Sequence, residues 1–403
     1  MPGPLSHIRV LDLSRVLAGP WAGQNLADLG AEVIKVERPR AGDDSRGYGP
    51  PWVKDRDGED TSDSAYFLSC NRGKKSITVN LARAQGQAIV RDLAAKSDVL
   101  LENYKFGDLD RYALGYRQLS ELNPRLVYCS ITGFGHTGPD RERPGYDFMV
   151  QGIAGHMSIT GEPGGEPMRF GIPIVDIFTG MYAAIAVCAA LAQRAESGKG
   201  QHLDVALFDS ALAMLANQGA TFLATGKNPE RIGNAHPTIV PYQVFGTRDG
   251  AVILACGNDN LFAKFCSLAG CERLARDARF EKNSARVNHR AVLVPQLAEI
   301  MRGRTTREWV ESLEGAGIPC GPINTIEQAL SEPQARSRGA RLTLPHPAAG
   351  SIDLIASPMR FSETPARQDT PPPTLGQHTD EVLRELLGMS AEQITKLRHD
   401  GVL

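Results

Sequence analysis

Short apolar runs alternate with helical patterns through the first third of the chain, and this alternation narrows the fold more than any other feature. Residues 8–13 form an apolar strand candidate, 20–29 a helix closed by Gly30, and 31–37 a second strand, together a β-α-β unit. Residues 76–80, 98–102 and 126–132 add three strand candidates, with helices over 84–96 and around Leu119. The pattern predicts an α/β fold with a mostly parallel sheet. Ligands on such sheets gather beyond the carboxyl ends of the strands. Residues 14–19, 38–46, 103–107 and 133–138 are therefore expected to share one crevice.

The composition changes after residue 225. Residues 242–246 and 251–256 flank Thr247-Arg-Asp-Gly250, a hairpin signal, helices follow over 260–268 and 286–301, and Thr305-Thr-Arg-Glu308 reads as a capping box. Three segments result: 1–224, the N-terminal part of a large domain; 225–328, a small mixed domain; and 329–403. The last holds strand-like pieces at 341–344 and 351–355, a Pro-rich link at 370–374 and two helices, the second begun by Ser390-Ala-Glu-Gln393.

Charge and cysteine content exclude several function classes. With 44 basic against 46 acidic side chains, no global field draws the chain to nucleic acid or to an anionic membrane, so an anionic ligand has to be held locally. The 7 cysteines contain no Cys-x-x-Cys, which argues against a disulfide framework and a structural zinc site and fits a reducing cytoplasm. The N-terminus lacks a signal-peptide pattern. Residues 177–193, the most apolar stretch, read as a helix buried all round, at a domain centre or a subunit interface.

Several residues carry chemistry. Glu37 lies where a ribose-binding acid of a nicotinamide site would sit, but Arg15-Val-Leu-Ala-Gly-Pro-Trp21 lacks the glycines that let a backbone approach a pyrophosphate. Arg38, at a strand end, is either a phosphate grip or a solvated surface residue. Asn71-Arg-Gly-Lys-Lys75 suits a phosphorylated ligand, although charge clusters of this length are more often solvated turns. The histidines show no metal spacing, and no Gly-x-Ser-x-Gly elbow is present. Asp176, between an apolar run and a small-residue helix, is either that helix's N-cap or a buried nucleophile or base.

Val16-Leu-Ala-Gly-Pro20, residues 26–39, Asn71-Arg-Gly-Lys-Lys-Ser-Ile77, Glu102-Asn-Tyr104, Gly138-Pro139, Arg143-Pro-Gly-Tyr-Asp147, Asp176 with Thr179-Gly180, Ser197-Gly-Lys-Gly200 and Leu375-Gly-Gln-His-Thr379 occur in one order along nearly the whole chain. This set resembles the class III CoA-transferases of the CaiB/BaiF type. The resemblance implies a Rossmann-like large domain built from both termini, a small mixed domain, and an interlaced homodimer of ring-shaped subunits. It implies Asp176 as the catalytic carboxylate. Carried over by position, Val16, Arg38, Arg72, Lys75, Asn103, Tyr104, Arg111, Tyr146 and Asp147 would line the CoA channel. Coenzyme A or its acyl thioester would be a substrate, with no tightly bound cofactor.

By the same resemblance, Asp176 would attack a thioester and pass through an aspartyl-CoA thioester, with amides at the start of its helix stabilising the oxyanions. Gly233-Asn-Ala-His-Pro-Thr-Ile-Val-Pro-Tyr-Gln-Val-Phe245 and Gly315-Ala-Gly-Ile-Pro-Cys-Gly-Pro-Ile-Asn324 are most similar to succinyl-CoA:glutarate or hydroxymethylglutarate transferases. A dicarboxylate wants a second cation, and Arg46, Arg169 and His236 are the candidates. Transferases for oxalate, formate, carnitine, itaconate or malate are alternatives, although formyl-CoA transferases that use oxalate carry Gln where this chain has Leu17. α-Methylacyl-CoA racemases share the fold but carry Gly-His-Asp where this chain has Gly145-Tyr146-Asp147. A silent CoA-binding homologue and a purely structural dimer are the non-enzyme readings.

Overall fold

The computed structural model of the protein describes residues 2–403. The chain divides into two compact units. The first holds the chain through His156, Phe170–Thr225 and Pro333–Leu403; the second holds Met157–Arg169 and Gly226–Glu332. The contribution of 157–169 to the second unit has no sequence signal among those read above.

Up to residue 225 the elements run β1 (Arg9–Asp12), α1 (Ala18–Asp28), β2 (Glu32–Glu37), β3 (Trp52–Lys54), β4 (Asp60–Ser64), α2 (Ala65–Leu68), β5 (Lys74–Thr78), α3 (Ala84–Ala95), β6 (Val99–Glu102), α4 (Tyr116–Leu122), β7 (Val127–Thr132), α5 (Asp147–Ile153), α6 (His156–Ile159), α7 (Ile174–Ser197), β8 (His202–Ala206), α8 (Leu207–Ala213) and α9 (Ala216–Thr225). Six strands form one sheet in the order β5-β2-β1-β6-β7-β8. Every pairing in it is parallel. The chain adds β2 and β5 on one side of β1, then crosses to add β6, β7 and β8 on the other. The crevice between β1 and β6 is therefore the topological switch point where such sheets bind ligands.

Both faces of the sheet are covered, as a parallel sheet requires. Val10, Val33 and Leu101 pack under Ala22 and Leu26 of α1 and Ala183 and Val187 of α7. On the opposite face Leu11, Ile34 and Leu100 pack with Ile89 and Leu93 of α3. β8 lies outside the predicted strands, because His202-Leu-Asp-Val-Ala206 is short and carries two polar residues.

α7 starts three residues before the predicted helix and is not buried all round. Val175, Thr179, Ala183, Val187 and Ala190 form its inward stripe, while Phe178, Met181, Tyr182 and Ile185 are exposed within the chain. By length and composition it could cross a membrane. Its inward stripe instead belongs to the main core beside α1.

The second unit contains β9 (Tyr242–Gly246), β10 (Ala251–Ala255), α10 (Asp259–Leu268), α11 (Glu272–Ala275), α12 (Asn283–Asn288), α13 (Arg290–Met301), α14 (Thr306–Gly315), β11 (Cys320–Pro322) and α15 (Ile326–Ser331). β9 and β10 form the predicted antiparallel hairpin, and the Thr305 capping box is present. The single helix predicted over 286–301 is two, because His289 leaves helical geometry (φ −109°, ψ 24°). Phe262, Phe265, Leu297 and Trp309 fill this unit's own core.

The chain then returns to the first unit as α16 (Pro333–Ser337), β12 (Arg341–His346), β13 (Gly350–Ile355), α17 (Thr379–Leu387) and α18 (Ala391–His399). Residues 376–379 close the open edge of β5. His378 donates its amide to the Ser76 carbonyl (2.8 Å) and accepts the Ser76 amide on Nδ1 (3.1 Å); the Thr78 amide reaches Thr379 Oγ1 (3.1 Å). An edge strand is thereby paired by loop and side-chain groups rather than left open. This is the structural use of the Leu375-Gly-Gln-His-Thr379 motif.

Candidate active site

The segments after β1, β2, β6 and β7 enclose a cavity of about 550 Å³ within the first unit. Arg15–Ala18, Asp44, Asn103–Phe106 and Gly133 all line it, so the crevice expected from the strand ends is formed. Asp176 enters it from the first turn of α7, and Tyr146, 68% exposed, borders it.

Close backbone contacts fix these parts. A Cβ at Gly180, one turn beyond Asp176, would sit 2.5 Å from the Ala18 carbonyl oxygen, so glycine there lets α7 press against the start of α1. Asn103 clamps the switch point by accepting the Arg15 amide (2.8 Å) and donating to the Arg15 carbonyl (2.7 Å). Val16 adopts φ +72°, a conformation that costs a β-branched residue roughly 1–3 kcal/mol. Its amide donates to Asp43 Oδ1 (3.0 Å), and Asp43 is ion-paired with Lys35 at 2.7 Å, both side chains fully buried. Burial alone would raise the Asp43 carboxyl, but Lys35 and the Ser45 and Val16 amides hold it well below the usual range.

Asp176 is not the N-cap of its helix. That position is Pro173, and the capping acceptor is the Asp147 carboxylate, which takes the Val175 amide (2.7 Å) and the Asp176 amide (3.3 Å) on Oδ2. The Ile174 and Ile177 amides are bonded to Ile172 and Pro173 carbonyls. The expected oxyanion donors at this helix start are therefore occupied. The amides of Leu17 and Ala18, at the start of α1 in the same cavity, have no hydrogen-bond partner among the described residues. The Asp176 carboxylate likewise accepts no hydrogen bond among them. Burial and then the charge of Asp147 push its pKa up to about 7. Tyr66 on α2 is in turn raised by burial and by Asp176.

The other sequence-derived positions divide sharply. Val16, Asn103, Tyr104 and Tyr146 line the main cavity with Asp176. Arg38 lines an adjoining cavity of about 190 Å³, with residues 80–82 and Tyr104. Its guanidinium is half exposed and pairs with Asp44. Residues 80–82 were missed because the segment after β5 was left out of the crevice, although that strand ends in the same direction.

Arg72 does not line either cavity; it is buried on Asp28 (2.7 and 3.1 Å) and the Ile355 carbonyl (2.9 Å). Lys75 bridges Glu32 (3.0 Å) and Glu381 (2.8 Å). Arg111 is exposed and pairs with Asp108. Asp147, 7% exposed, faces backbone amides instead of the channel.

Arg46 cannot serve as a substrate cation, since it is buried, bonded to Glu37 (2.7 and 2.8 Å) and Asp63, and lies 3.6 Å over the Phe67 ring. Glu37 is consumed by the same pair and by Ser76 (2.6 Å), which removes the ribose-acid reading. Arg169 and His236 belong to the second unit, where the His236 amide donates to the Tyr242 carbonyl (2.9 Å). The cations that do line the main cavity are Arg15, Lys105, Arg141 and Arg143, none of them singled out as a substrate cation from the sequence.

The model of CoA-transferase family III matches residues 5–379. The chain belongs to CoA-transferase family III. This transferase is 48% identical, over 95% of its length and 96% of the relative, to a succinate–glutarate CoA-transferase of Agrobacterium fabrum. It is 42% identical to a human succinyl-CoA:glutarate CoA-transferase, over 99% of its length and 90% of the relative. A CaiB/BaiF family protein from Brucella suis superimposes with a TM-score of 0.85 at 47% identity, covering 96% of this transferase and 100% of the solved chain.

Proposed function

We propose that the protein moves CoA from succinyl-CoA to a dicarboxylate of the glutarate or hydroxymethylglutarate kind, with Asp176 as nucleophile. The observation that carries the reading is the Asp176 carboxylate, free of hydrogen bonds, at the head of a polar cavity built on the switch point of the sheet. The names of the Agrobacterium fabrum and human relatives support succinyl-CoA as donor and glutarate as acceptor.

The ionised Asp176 carboxylate attacks the thioester carbonyl, and the tetrahedral oxyanion collapses to a mixed anhydride with loss of CoA thiolate. The thiolate attacks the aspartyl carbonyl of the anhydride, giving an aspartyl-CoA thioester and free succinate. An acceptor carboxylate repeats the two displacements in reverse, so Asp176 emerges as a carboxylate and no ATP, metal or organic cofactor is consumed. The unpartnered Leu17 and Ala18 amides, at the positive end of the α1 dipole, are suited to the developing oxyanion. Val16, Asn103, Tyr104 and Tyr146 line the path for acyl-CoA, and the nucleotide half suits the Arg38 cavity, where a guanidinium can grip a phosphate. Arg141 and Arg143 replace Arg46 as candidates for the second carboxylate.

The working unit is proposed to be an interlaced homodimer in a reducing cytoplasm, where its 7 cysteines remain thiols. The exposed apolar side of α7, with Phe178, Met181, Tyr182 and Ile185, supports burial against a second copy. Light scattering that returned a monomer at micromolar concentration would remove that part of the reading.

The test of function is an acceptor panel with succinyl-CoA as donor and glutarate, hydroxymethylglutarate, itaconate, malate, oxalate and carnitine as acceptors, followed by mass of the new acyl-CoA. Transfer to glutarate and hydroxymethylglutarate is expected. Exchange of the α-proton of a 2-methylacyl-CoA without any transfer would replace this reading by a racemase.

A further inference from the structure

An aspartate in the first turn of a helix ordinarily bends back onto the free amides there, which is why acidic residues are favoured at that place. Such a carboxylate is stabilised and made a poorer nucleophile. In this protein the bend-back is blocked. The Val175 and Asp176 amides are already taken by Asp147 Oδ2, at 2.7 and 3.3 Å. Asp147 Oδ1 accepts Gln151 Nε2 (2.6 Å), and Gln151 Oε1 accepts the Phe170 amide (2.9 Å) at the start of the segment leading into α7. Asp147 and Gln151 are both buried, so the tether is rigid and dry.

We propose that Asp147 is the positioning residue of the transfer reaction: by capping α7 from α5, it keeps the carboxylate of Asp176 off its own helix and directed into the cavity. This deepens the reading of Asp176 as nucleophile and rests on it. The charge of Asp147 also raises the pKa of Asp176, so its carboxylate, once ionised, is the more basic nucleophile. The other groups near Asp176 are Tyr66 on α2 and, in the cavity, Arg15 with Asp44, Arg141 with Glu142, Arg143 with Asp140, and Lys105. On the helices packed against α7, Asp28 of α1 is consumed by Arg72 and Asp209 of α8 is exposed.

The test compares Asp147→Ala with Asp147→Asn in the full-length protein. Asparagine keeps an acceptor for the two amides and removes the charge, giving up only the bond from Gln151 Nε2. In Asp147→Ala, kcat is expected to fall roughly a hundredfold, with KM for succinyl-CoA within about threefold of wild type. Asp147→Asn is expected to recover most of that loss and to move the acid limb of the pH profile down by about one unit. If the alanine variant does not fold by circular dichroism, the asparagine limb carries the test alone. A raised KM with kcat retained would make Asp147 a CoA contact and overturn the proposal, as would an asparagine variant with an unmoved limb. Wild type itself is the control for the underlying reading: if it gives a hydroxylamine-trapped Asp176 while the variants match it in kcat and pH profile, only the positioning role fails.

Discussion

Lys35 and Asp43 form an ion pair sealed from solvent, 2.7 Å apart, and the other oxygen of Asp43 holds the Val16 amide in its left-handed conformation. The pair ties the sheet to the turn that shapes the cavity. Asp43→Asn leaves a buried ammonium without its nearest countercharge, and a loss of about 3–5 kcal/mol is expected by urea denaturation at neutral pH. The folded carboxyl of Asp43 lies below its unfolded value, so its contribution is complete above about pH 4 and fades as pH falls below that. The gap between wild type and variant is therefore expected to shrink on acidification.

The kcat/KM of the free enzyme should rise with pH through an apparent pKa of about 7, because burial and Asp147 raise Asp176 to that value and only the carboxylate attacks. A steady-state profile flat from about pH 5 to 8 would separate the ionisation of Asp176 from the rate.

The same shift has the opposite sign for stability. A carboxyl whose folded pKa is raised contributes stability that is full below its unfolded value of about 4 and is lost as pH rises through about 7. Asp176→Asn is therefore expected to stabilise the fold by ~1–2 kcal/mol near pH 8, after discounting for the partial exposure of Asp176, while abolishing transfer. Thermal melts at pH 8 and at about pH 4 check this, the gain vanishing at the lower pH.

Gly180→Ala places a methyl against the Ala18 carbonyl oxygen and forces α1 and α7 apart. A destabilisation of about 1–3 kcal/mol is expected, with a fall in kcat of at least about tenfold, because the two helix starts frame the reacting groups. A variant with lower Tm and unchanged kcat would detach the helix contact from the chemistry.

Much of the fold was legible because the chain alternates the two periodicities that distinguish strand from helix. Five of the six parallel strands, the hairpin of the second unit and the capping boxes at Thr305 and Ser390 carry local signals. β8 carried too little apolar pattern to be seen. The crevice was legible from the strand ends, and Asp176, singled out by motif order, lines it. The partners of the charged residues were not, because Arg72 with Asp28 lies 44 residues apart in sequence and Arg46 is closed in by Glu37, Asp63 and the Pro373 carbonyl. A cation's sequence neighbours do not reveal whether the fold has already neutralised it. Asp147 was misplaced for the same reason, since its acceptors' partners are the amides of a helix beginning 27 residues later.

In the proposed reaction Asp176 itself carries the acyl and CoA groups in turn. The most direct measurement is incubation with succinyl-CoA in the absence of acceptor, quenching with hydroxylamine, and peptide mass mapping. A hydroxamate on Asp176, absent from Asp176→Ala and absent without acyl-CoA, is the expected result. Full transfer activity with no modification of Asp176, or with the hydroxamate on another carboxylate, would contradict it.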